Sequence, residues 1–247
     1  MANFGLIVGS GVLDWDIDWQ ELPGVDTDYG AASAPLLGAD IGGHRVFALP
    51  RHGLPHRFAP HAVNYRANLK LLEAQAVCAI VALNTVGGIT PSAITGELLV
   101  PDQIIDYTWG RVQSFSADDA VRHIDFSEPY DAHLRSELLR AGLVAGCPLA
   151  NGGVMGVTQG PRLETAAEIT RMSRDGCAIV GMTGMPEAVL ARELGIPFAS
   201  LSLVVNPAAG LAADVIDLED IYAAARRCME SVTRLLGVFF ETVEGFD

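Results

Sequence analysis

Three polar, glycine-containing segments each follow a short apolar run: Gly9-Ser10-Gly11, Arg51-His52-Gly53 with His56 close behind, and Asn84-Thr85-Val86-Gly87-Gly88. Backbone N–H groups, hydroxyls, a guanidinium and an imidazole are the groups that bind an oxyanion, and the carboxyl ends of strands are where open α/β sheets place ligands. Each segment has a plainer explanation. Gly9-Ser10-Gly11 lacks the full dinucleotide or P-loop pattern and, taken alone, reads first as a plain tight turn. Arg51 can pair with a surface acid, and Asn84-to-Gly88 has the composition of a β-turn. Three such strand ends fit one converging anion pocket better than three unrelated turns.

Three further segments carry polar groups of more ambiguous meaning: Gly160-Pro161-Arg162-Leu163-Glu164-Thr165, Gly181-Met182-Thr183-Gly184-Met185-Pro186-Glu187 and Val204-Val205-Asn206-Pro207-Ala208. Taken singly, Met182 is more often core filler than a platform for a sugar. Glu164 is more often a helix-start acid, and Asn206 more often a turn residue.

The elements that must position these residues are legible from periodicity. Near-continuous apolar runs at Phe4–Val8, Arg45–Leu49, Val77–Leu83, Val154–Thr158, Ala178–Met182 and Phe198–Val205 predict strands buried on both faces. Helical patterns fall at Asn64–Gln75, Asp131–Ala141, Leu163–Arg174 before Gly176, and Pro186–Leu194 before Gly195. A long closing helix starts at the N-cap candidate Asp217 and carries Ile221, Ala225, Cys228, Val232, Leu235 and Phe239 on one face. With no repeat or linker-like shift, residues 1–247 read as a single α/β domain whose mixed, partly barrel-like central sheet is flanked by helices.

Composition narrows the partners. A formal charge of −14 argues against nucleic acid and anionic membranes, and no basic run offsets it. Lys70 is the only lysine, so the positive charge is almost all guanidinium, suited to gripping small oxyanions. Cys78, Cys147, Cys177 and Cys228 are far apart in apolar surroundings, which predicts buried thiols and no metal ligands. Without a basic leader or an apolar run of about 20 residues, a cytoplasmic protein is expected.

In order and wording the segments resemble the trimeric purine nucleoside phosphorylase and methylthioadenosine phosphorylase family. The matching stretches are GLIVGSGV, LPRHG, NTVGG, GPRLETAAE, VGMTGMPEAVLARELGI and LSLVVN, spread from residue 5 to 206. The resemblance implies that Ser10, Arg51, His52, Thr85 and Thr183 surround phosphate, that Met182 lies against the ribose, and that phosphate attacks the anomeric carbon of an oxocarbenium-like sugar. It implies no metal or organic cofactor, inorganic phosphate being a co-substrate, and a homotrimer. Asn206 and His52 are the candidate catalytic residues; the Asn206 amide can accept from the imidazole-side ring nitrogen of a departing purine and donate to a 6-oxo group.

Where the family divides, this chain combines two branches. Methylthioadenosine phosphorylases have Asp-x-Asp where this chain has Asn206-Pro207-Ala208, and Glu164 after Leu163 is the pattern of the 6-oxopurine enzymes, able to accept from the ring N–H beside the oxo group. At the sugar's 5′ end, Leu218 stands where ordinary purine nucleoside phosphorylases have a His, with Ile216 and Ile221 nearby, so an apolar wall facing a methylthio group is expected. His56 and Val63-Asn64-Tyr65-Arg66-Ala67-Asn68 also resemble the methylthioadenosine branch. Together these imply phosphorolysis of 5′-methylthioinosine. Leu163 departs from the aromatic residue frequent beside the purine, and the chain ends at Asp247, before the tail that helps close a neighbour's 5′ pocket in relatives, so closure is expected to differ. The alternatives are a methylthioadenosine or general 6-oxopurine phosphorylase, a nucleosidase using water, which would not need the anion set, and a non-catalytic nucleoside-binding module.

Overall fold

The computed structural model describes residues 1–9, 15–116, 121–212 and 217–246. Its elements run β1 (Asn3–Val8), β2 (Gln20–Glu21), β3 (Leu37–Ile41), β4 (His44–Pro50), α1 (Tyr65–Glu73), β5 (Ala79–Gly88), β6 (Leu98–Val100), β7 (Gln103–Asp106), α2 (Ala132–Val144), β8 (Ala150–Asn151), β9 (Val154–Val157), α3 (Ala166–Arg174), β10 (Cys177–Gly181), α4 (Glu187–Glu193), β11 (Phe198–Pro207) and α5 (Leu218–Thr242).

Side chains alternate across a strand, so an unbroken apolar run feeds two cores at once. In β1, Phe4, Leu6 and Val8 enter the core under α2 and α5, whereas Ile7 enters the opposite core under α1 and α4. Helix α5 supplies Cys228, Val232, Leu235, Leu236, Phe239 and Phe240 to the first of these, a helical stripe that packs on Leu134, Leu138 and Ala141 of α2. Phe239 is fully buried, so Phe239→Ala costs about 3–5 kcal/mol of stability.

The 11-stranded mixed sheet branches at β5. Along one edge β5 pairs in parallel with β11 from Ile80 to Gly88. Along the other it pairs first with β1 in parallel, ending at Ile7↔Ala82, and then with β10 in antiparallel fashion at Gly87 and Gly88. Because β1 and β10 run in opposite directions beside the same strand, their carboxyl ends meet opposite the middle of β5. The parallel neighbour β4 delivers Arg51 to the same place, where the Arg51 amide donates to the Val8 carbonyl. A change of strand partner of this kind opens a crevice at the strand ends.

Of the boundaries that differ from the sequence expectation, two bear on the site. Asn84 to Gly88 continue the strand and are not a turn, since the ladder with β11 runs through them. Helix α3 begins at Ala166 and not at Leu163: the Thr165 hydroxyl accepts from the Glu168 amide while the Glu168 carboxylate accepts from the Thr165 amide, a capping box that fixes the start. Glu164 is therefore outside the helix and is not its first-turn acid. Cys147, Cys177 and Cys228 are buried and Cys78 half-buried. Among the described residues, no helix is long and apolar enough to cross a membrane.

Candidate active site

A cavity of about 480 Å3 opens where β1, β4, β5, β10 and β11 end. Of the residues singled out from sequence, Arg51, His52, His56, Thr85, Leu163, Glu164, Met182, Thr183, Asn206, Ala208, Leu218 and Ile221 all line it. Pro207 does not; its carbonyl instead accepts the Asn206 side-chain amide at 2.6 Å. Ser10 and Ile216 lie outside the described residues.

At the inner end Arg51 is almost completely buried. Its Nε and one terminal nitrogen donate to the two carboxylate oxygens of Glu187 at 2.6 and 2.9 Å, and the other terminal nitrogen donates to the Leu83 carbonyl at 3.0 Å. The plainer alternative for Arg51, a pair with a surface acid, does not hold: the acid is the fully buried Glu187, first residue of α4. Of the five guanidinium N–H groups three are thus committed and two remain. Gly9 borders them: a Cβ there would lie 3.7 Å from the guanidinium.

His52 follows in the chain, and its Nδ1–H donates to the Phe58 carbonyl at 2.8 Å, which fixes the tautomer. Burial, and then the Arg51 charge, depress its pKa from 6.5 to about 4. The ring is therefore neutral near pH 7 and offers Nε2 as an acceptor, while His56 stacks on it with centroids 4.3 Å apart. Thr183 is held from behind by Asn84. The Asn84 nitrogen donates to the Ala82 carbonyl at 3.0 Å and to Ser200 Oγ at 3.1 Å, and its oxygen accepts the Thr183 hydroxyl at 2.8 Å. The inner end thus pairs two guanidinium N–H donors with acceptors on His52 and Thr183. That set matches an oxyanion that carries a proton, as phosphate does near neutral pH.

The outer end is built differently. A register shift between Val204 and Asn206 in the β5 ladder re-aims Asn206 at the cavity. One of its amide hydrogens is committed to Pro207, leaving a carbonyl oxygen and a second N–H. Across from it stands Glu164, whose Oε1 accepts the Thr158 hydroxyl at 2.6 Å. Met182 lies between these ends, its sulfur so near Gly160 that a Cβ there would come within 2.6 Å; the φ of +60° at Gly160 also favours glycine. The mouth is apolar, with Leu163, Leu218 and Ile221 joined by Tyr222.

Tyr222, Glu187, Asn84 and Arg111 are site-building residues that the sequence segments did not single out in these roles. Tyr222 was recoverable, because residues 218, 221 and 222 share one helix face. Glu187 stood in a quoted motif, but nothing local showed that its partner was 136 residues away. Arg111 has no local signal at all: it is buried and donates to the carbonyls of Thr158, Gln159, Met182 and Met185 at 2.6 to 3.1 Å, tying the end of β9 to the segment after β10.

Comparison with known proteins places this geometry. The chain is 50% identical over 240 residues to a probable S-methyl-5′-thioinosine phosphorylase of Pseudomonas syringae pv. tomato, covering 96% of this chain and 97% of that one. It is 47% identical to the protein of the same name from Xanthomonas campestris pv. campestris, with 94% of each covered. Among solved structures, methylthioadenosine phosphorylase from Schistosoma mansoni in complex with adenine superposes with a TM-score of 0.88 at 27% identity, covering 97% of this chain and 91% of that one. The model of the phosphorylase superfamily matches residues 3–241, so the branched sheet and the cavity at its centre are those of a member: this chain belongs to the phosphorylase superfamily.

Proposed function

We propose that the chain is a pentosyltransferase that cleaves S-methyl-5′-thioinosine with phosphate, giving hypoxanthine and 5-methylthioribose 1-phosphate. One observation carries this reading: a single cavity gathers an oxyanion set, a Met182 platform, the Glu164 and Asn206 pair and an apolar mouth. Phosphate occupies the Arg51, His52, Thr85 and Thr183 end, with Ser10 as a further ligand. A phosphate oxygen forms a bond to the anomeric carbon as the bond from that carbon to the purine breaks. The electron pair leaves with the purine, which takes a proton from solvent at its imidazole nitrogen and is held there by the Asn206 carbonyl. The remaining Asn206 N–H donates to the 6-oxo group, and the free oxygen of Glu164 accepts from the ring N–H beside it. The names of the two half-identical relatives support the same substrate. The chemistry asks for positioning and charge stabilisation, which these side chains supply without a metal or organic cofactor.

Residues 1–247 act as one nucleoside phosphorylase domain in this reading, in a cytoplasmic homotrimer. The test is a substrate panel scored by released base. Methylthioinosine is expected to exceed both methylthioadenosine and inosine, with no release when phosphate is omitted. Equal or better turnover of methylthioadenosine would move the chain to that branch. Release without phosphate would make it a nucleosidase, and binding without release a nucleoside-binding module.

A further inference from the structure

The two carboxylate oxygens of Glu164 are not equivalent. Its Oε1 receives the Thr158 hydroxyl at 2.6 Å, while the alternative acceptor for that hydroxyl, the Gly181 carbonyl, is 3.3 Å away. A hydroxyl has one proton, and the shorter, charge-assisted contact takes it. Thr158 cannot drift from this position. Its amide donates to the Gly181 carbonyl at 2.8 Å, and its own carbonyl accepts from Arg111 at 3.1 Å. Glu164 lines the substrate cavity, but Thr158 does not; it lines a neighbouring cavity of about 520 Å3 with Asp106, Trp109 and Arg162, whose wall Glu164 shares. Oε1 is therefore the oxygen held by a residue outside the substrate cavity, and Oε2 is the one that Thr158 does not engage.

We infer that Thr158 is a specificity-positioning residue that leaves Glu164 only one fully free acceptor oxygen toward the base, so that the site selects 6-oxopurines without a 2-amino group. A 2-amino-6-oxopurine presents two adjacent parallel N–H donors, on the ring and on the exocyclic nitrogen, which a carboxylate satisfies fully with one oxygen each. The exocyclic N–H must then share Oε1 with the short, fixed Thr158 bond, and a hydrogen bond to a charged group weakened in this way costs about tenfold in affinity. Hypoxanthine has no such donor and loses nothing. The inference rests on the assignment of Glu164 to the base in the proposed function.

The experiment compares kcat/KM for S-methyl-5′-thioinosine and S-methyl-5′-thioguanosine in the full-length protein and in T158V, T158S and E164Q. The unsubstituted protein is expected to favour the thioinosine by about tenfold or more. T158V, which removes the hydroxyl while keeping the shape, is expected to bring the two substrates to within a few-fold. T158S, which keeps the hydroxyl, is expected to preserve the preference. A purely structural role for Thr158 would lower both substrates together and leave their ratio unmoved. If T158V leaves the ratio unchanged while E164Q shifts it, Glu164 reads the base without Thr158 and the inference is overturned. If E164Q also leaves base preference unchanged, the assignment of Glu164 itself fails.

Discussion

The two ends of the cavity are built to different standards of rigidity. At the anion end Arg51, His52 and Thr183 are buried and tied from behind, to Glu187, Phe58 and Asn84, although Thr85 beside them is exposed. At the nucleoside mouth Leu218 is 57% exposed, Tyr222 54% and Leu163 40%, and the supporting backbone is a helix start and the turn before α3. In the proposed reaction phosphate is the constant reactant, and the end assigned to it sits where strand partners change. In the same reading base and 5′ substituent are met by groups on strand ends, turns and a helix tip, where one side chain can be exchanged without disturbing a core.

The contrast predicts a gradient of mutational effects. The largest falls on stability at the anion end: Glu187→Ala leaves Arg51 buried and unpaired, and is expected to cost about 3–5 kcal/mol, read as a lower denaturation midpoint in urea. A change below about 1 kcal/mol would mean the pair does not organise the site. Next comes Asn206→Asp, where a carboxylate repels a 6-oxo group and loses a donor to it. The kcat/KM for methylthioinosine should drop by about 100- to 1000-fold, with base preference moving toward 6-aminopurines; unaltered preference would show that Asn206 does not face the base.

A titration sharpens the comparison further. The His52 pKa is lower in the folded protein, about 4, than its ordinary 6.5, so between those values the unfolded chain holds more protons than the folded one. Stability from this group is complete above pH 6.5 and declines as pH falls toward 4. His52→Gln should flatten that decline in urea melts taken across the interval, and an unchanged slope would locate the titration elsewhere. The smallest effect belongs to the mouth: Leu218→Ala should leave stability within about 0.5 kcal/mol. It should lower the preference for methylthioinosine over inosine by several-fold, as expected for about 0.8 kcal/mol per buried methylene-sized group, measured as the ratio of kcat/KM values.

Legibility from sequence follows the same division. The strands and the stripe of α5 were readable because burial on two faces, or on one helical face, imposes a period on the residues themselves. The anion segments were readable because glycine and polar residues directly after an apolar run mark strand ends. What could not be read is what distant segments do to one another. The extension of β5 through Asn84 and Gly88 depends on its ladder with β11. The start of α3, in contrast, was legible locally, since Thr165-Ala166-Ala167-Glu168 has the capping-box pattern that puts Glu164 outside the helix. The Arg51 partner and the four carbonyls gathered by Arg111 are set by topology alone. Short β7 and β8 carry too few residues to show a period.

The most direct test of phosphorolysis in this cavity is stoichiometry: phosphate consumed and hypoxanthine released from S-methyl-5′-thioinosine, measured together with the fate of labelled phosphate. One phosphate consumed per hypoxanthine, with the label recovered in the sugar 1-phosphate, is the predicted result. Hypoxanthine released together with free methylthioribose, and phosphate left unconsumed, would contradict it.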